Sequence, residues 1–175
     1  IALIGFDQQG YGRSEGKRGH AHSLETLLDD VGLLLAQAAE RYPDTPVFLY
    51  GHSLGGALVL QYVIQRDPVI GGLIVTSPLI RLAFQAPAPK ILVGKLLRRI
   101  KPTLTLATGL AANFISHDPA VVSAYKNDPL VHDKLSAAAG IDILGMGESL
   151  DNFSGVFSIP VLLMNGADDK ITSAA

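Results

Sequence analysis

The sequence predicts an α/β fold built on a mostly parallel sheet with helices on both faces. Three observations carry this. Short apolar runs at residues 1–6, 47–50, 73–76 and 161–164 are bounded by turn residues and show little strict alternation, as strands covered on both faces do. Two apolar-striped segments, residues 23–41 and 54–65, separate the first three runs. The chain has 175 residues, of which 48% are apolar and 17% charged; that is enough for one sizeable core and excludes disorder.

The first run, Ile-Ala-Leu-Ile-Gly-Phe, reads as a buried strand. A chain that opens in what looks like mid-sheet, without Met, and stops just after another strand is expected to be a piece of a larger domain, incomplete at both ends. In residues 23–41, Leu24, Leu27, Leu28, Val31, Leu34, Leu35 and Ala38 form one helical stripe, and Asp29, Asp30, Gln37, Glu40 and Arg41 stay off it. Ser23 is the expected N-cap and Pro43 the stop. Residues 54–65 are apolar on most faces, which predicts a deeply buried helix. From about residue 78 to 150 the alternation fails, and Pro87, Pro89, Pro102, Pro119 and Pro129 punctuate the chain. This segment is expected to be an insertion over the sheet. The organisation is then core at 1–78, cap at 79–150 and core again at 151–175.

Composition narrows the function. Lys and Arg total 14 against 16 Asp and Glu, so the basic excess of a nucleic-acid binder is missing. The absence of cysteine excludes disulfides, thiolate metal sites and a Cys nucleophile. Mean hydropathy is +0.31, yet no run of about 18 apolar residues occurs and no secretory signal is visible. A cytoplasmic protein, with contact to a membrane surface through its cap, is the expectation. That contact would come from residues 90–101, where Ile91, Leu92, Val93, Leu96, Leu97 and Ile100 alternate with Lys90, Lys95, Arg98, Arg99 and Lys101. Such a basic amphipathic helix either lays its apolar face over a cleft or touches an anionic lipid surface. Asn152-Phe153-Ser154 fits a glycosylation sequon, which without a secretory signal is incidental.

The chemistry concentrates in Gly51-His52-Ser53-Leu54-Gly55, a G-x-S-x-G between an apolar strand and an apolar helix. A chain turning this sharply from strand into helix holds Ser53 in a strained conformation and lifts its hydroxyl above the sheet. Gly51 and Gly55 are expected to stand where side chains would collide, and Gly56 where helix and sheet approach. The Leu54 amide, at a helix N-terminus, is placed to stabilise an oxyanion. The competing reading is a glycine-rich turn with an ordinary capping serine.

With these motifs in hand, the chain resembles the α/β-hydrolase serine hydrolases of the monoacylglycerol lipase and lysophospholipase group. Residues 6–16, Phe-Asp-Gln-Gln-Gly-Tyr-Gly-Arg-Ser-Glu-Gly, resemble the family's D-x-x-G-x-G-x-S-x-G loop. The elbow around Ser53, the Ser77-Pro78-Leu79 segment and Tyr125-Lys126-Asn127-Asp128-Pro129-Leu130 are similar too. The resemblance implies an α/β-hydrolase fold with an inserted helical cap, and a Ser–Asp–His triad in that chain order. Ser53 takes the nucleophile's place. Gly166-Ala167-Asp168-Asp169 matches the family's G-x-x-D, so the catalytic acid falls on Asp169, with Asp168 as the fallback; the alternative is a plain Asx turn. None of the five histidines, His20, His22, His52, His117 and His132, follows Asp169. The general base is therefore expected outside the chain, and the 175-residue piece is expected not to turn over substrate alone.

The implied reaction is carboxylic-ester hydrolysis through an acyl-enzyme, with monoacylglycerol or lysophospholipid as substrate and no metal or organic cofactor. Two alternatives stay open: a non-catalytic module of the same fold that binds a ligand or partner, and a short-chain esterase or thioesterase on the same scaffold.

Overall fold

The computed structural model describes residues 1–85 and 87–174. In chain order these form α1 (Leu24–Arg41), β1 (Phe48–His52), α2 (Leu54–Arg66), β2 (Gly72–Thr76), α3 (Ala88–Ile100), β3 (Thr105–Ala107), a 3-10 turn (Ala112–Phe114), α4 (Pro119–Asn127), β4 (Lys134–Ser136), α5 (Ala137–Asp151) and β5 (Val161–Met164).

β1, β2 and β5 make one parallel sheet with β2 in the middle. In register, Leu49, Leu73 and Val161 form one row across the three strands, and Gly51, Val75 and Leu163 another. This face meets α2, and Leu49, Leu73 and Val75 are buried on it. Full burial of one such side chain stabilises by about 1.5–3 kcal/mol. α2 is sandwiched, as its all-round apolar sequence predicts: α1 and α5 pack on it from outside. Leu28 and Val31 of α1 and Met146 and Leu150 of α5 complete the same core. α1 starts where expected, with the Ser23 hydroxyl accepting from the Thr26 amide at 3.1 Å.

Residues 1–6 correct the sequence reading. They carry no strand, and Ile1 and Leu3 are fully exposed. A strand exists only through a neighbour's ladder, and none of β1, β2 or β5 pairs with this run. The sheet face opposite α2 is likewise open: Phe48, Tyr50, Leu162 and Met164 are exposed among the described residues.

The inserted region resolves into α3, the β3–β4 antiparallel pair, α4 and α5. α3 rests on α5 by a narrow strip, with Gly94 against Ile141 and Arg98 paired to Asp142 at 2.6 Å. Ile91 and Leu97 are half-buried, whereas Leu92, Val93, Leu96 and Ile100 are exposed, and no residue of the helix is fully buried. α5 links the β3–β4 pair to the core, because its N-terminus continues from β4 while Met146 and Leu150 sit against α2.

Candidate active site

β1 ends at His52, and α2 begins at Leu54. One residue must therefore reverse the chain. Ser53 does so at φ 53° and ψ −120°, a conformation that costs a non-glycine residue about 1–3 kcal/mol. The turn is locked from both sides. The Ser53 amide donates to the Thr76 carbonyl at 3.0 Å, and its carbonyl accepts from Ala57 at 3.1 Å and Leu79 at 3.0 Å. The Ser53 side chain makes no capping hydrogen bond to α2, so the capping-serine reading does not describe it. It is half-buried.

The glycines of the motif are not equivalent. A Cβ at Gly51 would stand 2.6 Å from Val59 Cγ2 and run into the Gly55 carbonyl. One at Gly56 would lie 3.1 Å from Val75 Cγ1 and 3.2 Å from Pro78, so Gly56 does mark the close helix–sheet approach. Gly55 departs from expectation: nothing lies within 4 Å of a Cβ there. Its side of the helix faces open space, so packing in the fold does not require glycine at that position. The Leu54 amide, first in α2, donates no hydrogen bond to the described residues and adds to the positive end of the helix dipole.

Asp169 follows β5, two strands away from Ser53 but joined to it through β2. The Ser77 amide, one residue beyond Thr76, donates to the Met164 carbonyl at 2.8 Å. Ser77 is itself held at φ 42°. Asp169 Oδ1 accepts from the amides of Ile171 at 2.8 Å and Thr172 at 2.9 Å, and Oδ2 from the Thr172 hydroxyl at 2.8 Å. Partial burial pushes this carboxyl up, but the Thr172 and Ile171 amides outweigh it, helped by the Thr172 and Ser77 hydroxyls. The net effect holds it below the usual carboxylate range. The Asx turn is thus present, and it fixes an ionised carboxylate on the rim where Ser53 sits. Asp168 points elsewhere. It is exposed and pairs with Lys170, and with His117 Nε2 at 3.1 Å. Lys170 is the main cause of its lowered pKa.

Four of the five histidines hydrogen-bond partners other than the Ser53 hydroxyl. His52 Nδ1 shares a hydrogen bond with Thr76 Oγ1 at 2.9 Å, and the Tyr50 hydroxyl meets the same oxygen at 3.0 Å. His20 Nδ1 lies 2.9 Å from Ser136 Oγ, with His22 beside it. His132 donates from Nε2 to the Gly10 carbonyl at 2.9 Å and stacks on Tyr11. These contacts bind the glycine-rich loop after residue 6 to β4 and the residues just before it. Thr76 and Thr172 escaped the sequence reading, and Ser77 entered it only through the Ser77-Pro78-Leu79 segment; Thr76 closes an apolar run, whereas Thr172 carries no such signal.

Among the described residues no three His, Asp or Glu side chains gather closely enough to hold a metal ion. Surface depressions of about 600 Å³ and 660 Å³ lie against α4 and between α3 and α5, and neither is lined by Ser53 or Asp169. No helix of the described residues is long and apolar enough to cross a membrane.

Known proteins resemble this chain in sequence and fold. The model of the Hydrolase_4 family, described as serine aminopeptidase, S33, matches residues 1–175. An uncharacterized abhydrolase domain-containing protein of Dictyostelium discoideum is 43% identical over 98% of this chain and 18% of its own length. The monoacylglycerol lipase of Mycolicibacterium smegmatis is 30% identical over 100% of this chain and 62% of its own. Among solved structures, the monoacylglycerol lipase of Paleococcus ferrophilus superposes with a TM-score of 0.82 at 34% identity, covering 92% of this chain and 60% of that one. A soluble variant of the Saccharomyces cerevisiae monoglyceride lipase, in complex with a substrate analogue, gives 0.78 at 28% identity over 95% and 59%. The chain thus spans less than two thirds of these relatives. It belongs to the Hydrolase_4 family and is an α/β-hydrolase of the monoacylglycerol lipase type.

Proposed function

We propose that this member of the family is the nucleophile-bearing part of a serine carboxylic-ester hydrolase acting on monoacylglycerol or lysophospholipid. The observation that carries the reading is Ser53 at positive φ on the end of β1, hydrogen-bonded through β2 to the strand end that bears Asp169. A fold retains strain of this kind where the surroundings over-determine it, and such strain clusters at sites of chemistry.

Ser53 attacks the ester carbonyl as a general base takes its proton. The tetrahedral oxyanion is held by the Leu54 amide and a second donor; loss of one such donor costs about a hundred- to a thousandfold in rate. Water then releases the fatty acid from the acyl-enzyme. Asp169 orients the imidazole and stabilises its cation. The general base is a histidine outside residues 1–175, a reading supported by the engagement of His20, His52, His117 and His132 with other partners. On this reading the isolated piece is inactive. Residues 79–150 act as the cap. The outward-facing Leu92, Val93, Leu96 and Ile100, flanked by Lys95 and Arg99, favour contact with an anionic lipid surface. The lipid-ester substrate is supported by the likeness to a monoacylglycerol lipase and a monoglyceride lipase.

An activated fluorophosphonate applied to the full-length protein tests this. The expected result is stoichiometric labelling that disappears in Ser53→Ala. A folded full-length sample that takes no label would instead support a non-catalytic binding module. Rates on short and long acyl esters then separate a lipase from a short-chain esterase or thioesterase.

A further inference from the structure

We infer that Thr172 is a positioning residue for Asp169, its hydroxyl fixing which carboxylate oxygen faces the base. The inference rests on the reading of Asp169 as the acid and goes beyond it.

A carboxylate offers two oxygens with about four lone-pair directions. Oδ1 of Asp169 is taken up by two amides of its own turn, from Ile171 and Thr172. Oδ2 is the oxygen left for an imidazole, and the Thr172 hydroxyl occupies one of its directions at 2.8 Å. Amides on Oδ1 alone would let the group rock about its Cβ–Cγ bond. A donor on Oδ2 removes that freedom, and the Ser77 hydroxyl is the second side-chain donor at the carboxylate.

Thr172 is built for the task. It is 1% exposed, so its hydroxyl has no water to turn to, and a buried hydroxyl without a partner is costly. A valine would fill the same volume without that demand. Its backbone is clamped independently of the side chain. Thr172 bridges Leu82 in antiparallel fashion, the Ala83 amide donates to the Ile171 carbonyl at 2.9 Å, and the Ser173 amide donates to the Arg81 carbonyl at 2.9 Å. The acid turn is thereby stitched to the segment that leaves β2 just after Ser77. The charged groups nearest Asp169 are otherwise committed. Lys170 of the same turn and His117 both pair with Asp168, and Arg81 pairs with Asp151 at 2.6 Å.

Removing the hydroxyl has two consequences. The carboxylate loses a fixed orientation, which slows the step that needs an aligned base. Its negative charge, less shared with donors, then stabilises the protonated base more strongly, so the acid limb of the pH profile moves to higher pH.

The test measures kcat and KM of the full-length protein on a monoacylglycerol from about pH 5 to 9. Thr172→Val is expected to lower kcat about tenfold with KM nearly unchanged, and to move the acid limb up by about half a pH unit. Thr172→Ser, which keeps the hydroxyl, is expected to restore both; Thr172→Ala replaces valine if valine does not fold. A wild-type pH profile in the hydroxyl-less variant overturns the inference, as does a serine variant that behaves like valine. Asp169→Asn runs beside them: a loss of about 10⁴ in kcat supports the acid itself. Unchanged activity there would sink that reading, whatever Thr172 does.

Discussion

Gly51→Ala and Gly55→Ala make a paired test of the elbow, because the motif treats the two glycines alike and the structure does not. Gly51 is buried in β1, where an added Cβ meets Val59 Cγ2 at 2.6 Å and the Gly55 carbonyl more closely still. A carbonyl fixed in the first turn of α2 cannot rotate aside as a flexible side chain could. Either β1 or α2 must shift, and both are held in the same core. Overpacking of this kind costs about 1–3 kcal/mol, occasionally more, and the backbone contact argues for the upper end. With an m-value of about 2–3 kcal/mol/M, a loss of about 3 kcal/mol lowers the urea midpoint by about 1–1.5 M. Gly55 has nothing within 4 Å of its Cβ position. Alanine is the better helix former by about 1 kcal/mol, so Gly55→Ala is expected to leave the midpoint unchanged or raise it slightly. Urea unfolding of both variants beside wild type is the assay. Equal midpoints for the two, or a Gly51→Ala protein as stable as its parent, would refute the steric argument.

Three other outcomes are expected. Ser53→Gly should abolish fluorophosphonate labelling yet raise stability by about 1 kcal/mol, because glycine adopts φ 53° without strain; a destabilised variant in chemical unfolding would contradict this. Burial, then His22, then Lys17 hold the His20 imidazole below its usual pKa. The stability this contributes is complete above the unfolded value of about 6.5 and is lost as the pH falls from there through the lower folded value. The unfolding midpoint should therefore drop between about pH 7 and 5, and His20→Gln should flatten the slope. Reversing Lys95 and Arg99 to Glu should weaken flotation with phosphatidylserine-containing vesicles by about 1 kcal/mol per charge and leave neutral vesicles unaffected. Equal flotation of wild type and the double variant would remove α3 from the membrane account.

Much of this was legible from the chain, and the exceptions share a cause. The α1 stripe, its Ser23 cap, the buried α2 and the strand–serine–helix junction are local patterns, fixed by side-chain periodicity and one turn. Residues 1–6 have the composition of a strand but not the partner, and pairing is a non-local property that no run of apolar residues encodes. β3 and β4 span three residues each, too few for any period to register. Gly51 and Gly55 look interchangeable in sequence because the residue that separates them, Val59, acts through space. Thr172 gave no signal at all: a threonine near a chain end is unremarkable until its hydroxyl is seen on Asp169.

β2 sits between β1 and β5, yet residues 77–160 intervene before β5 joins it. Ring closure over such a span grows only logarithmically, about 0.6 kcal/mol for each doubling. Outside α5, whose Met146 and Leu150 belong to the core, the excursion can therefore lengthen or shorten at small thermodynamic cost while the three strand tips stay in register. That part is exchangeable like a tool head on a fixed handle, and the strand tips that carry Ser53 and Asp169 stay where they are.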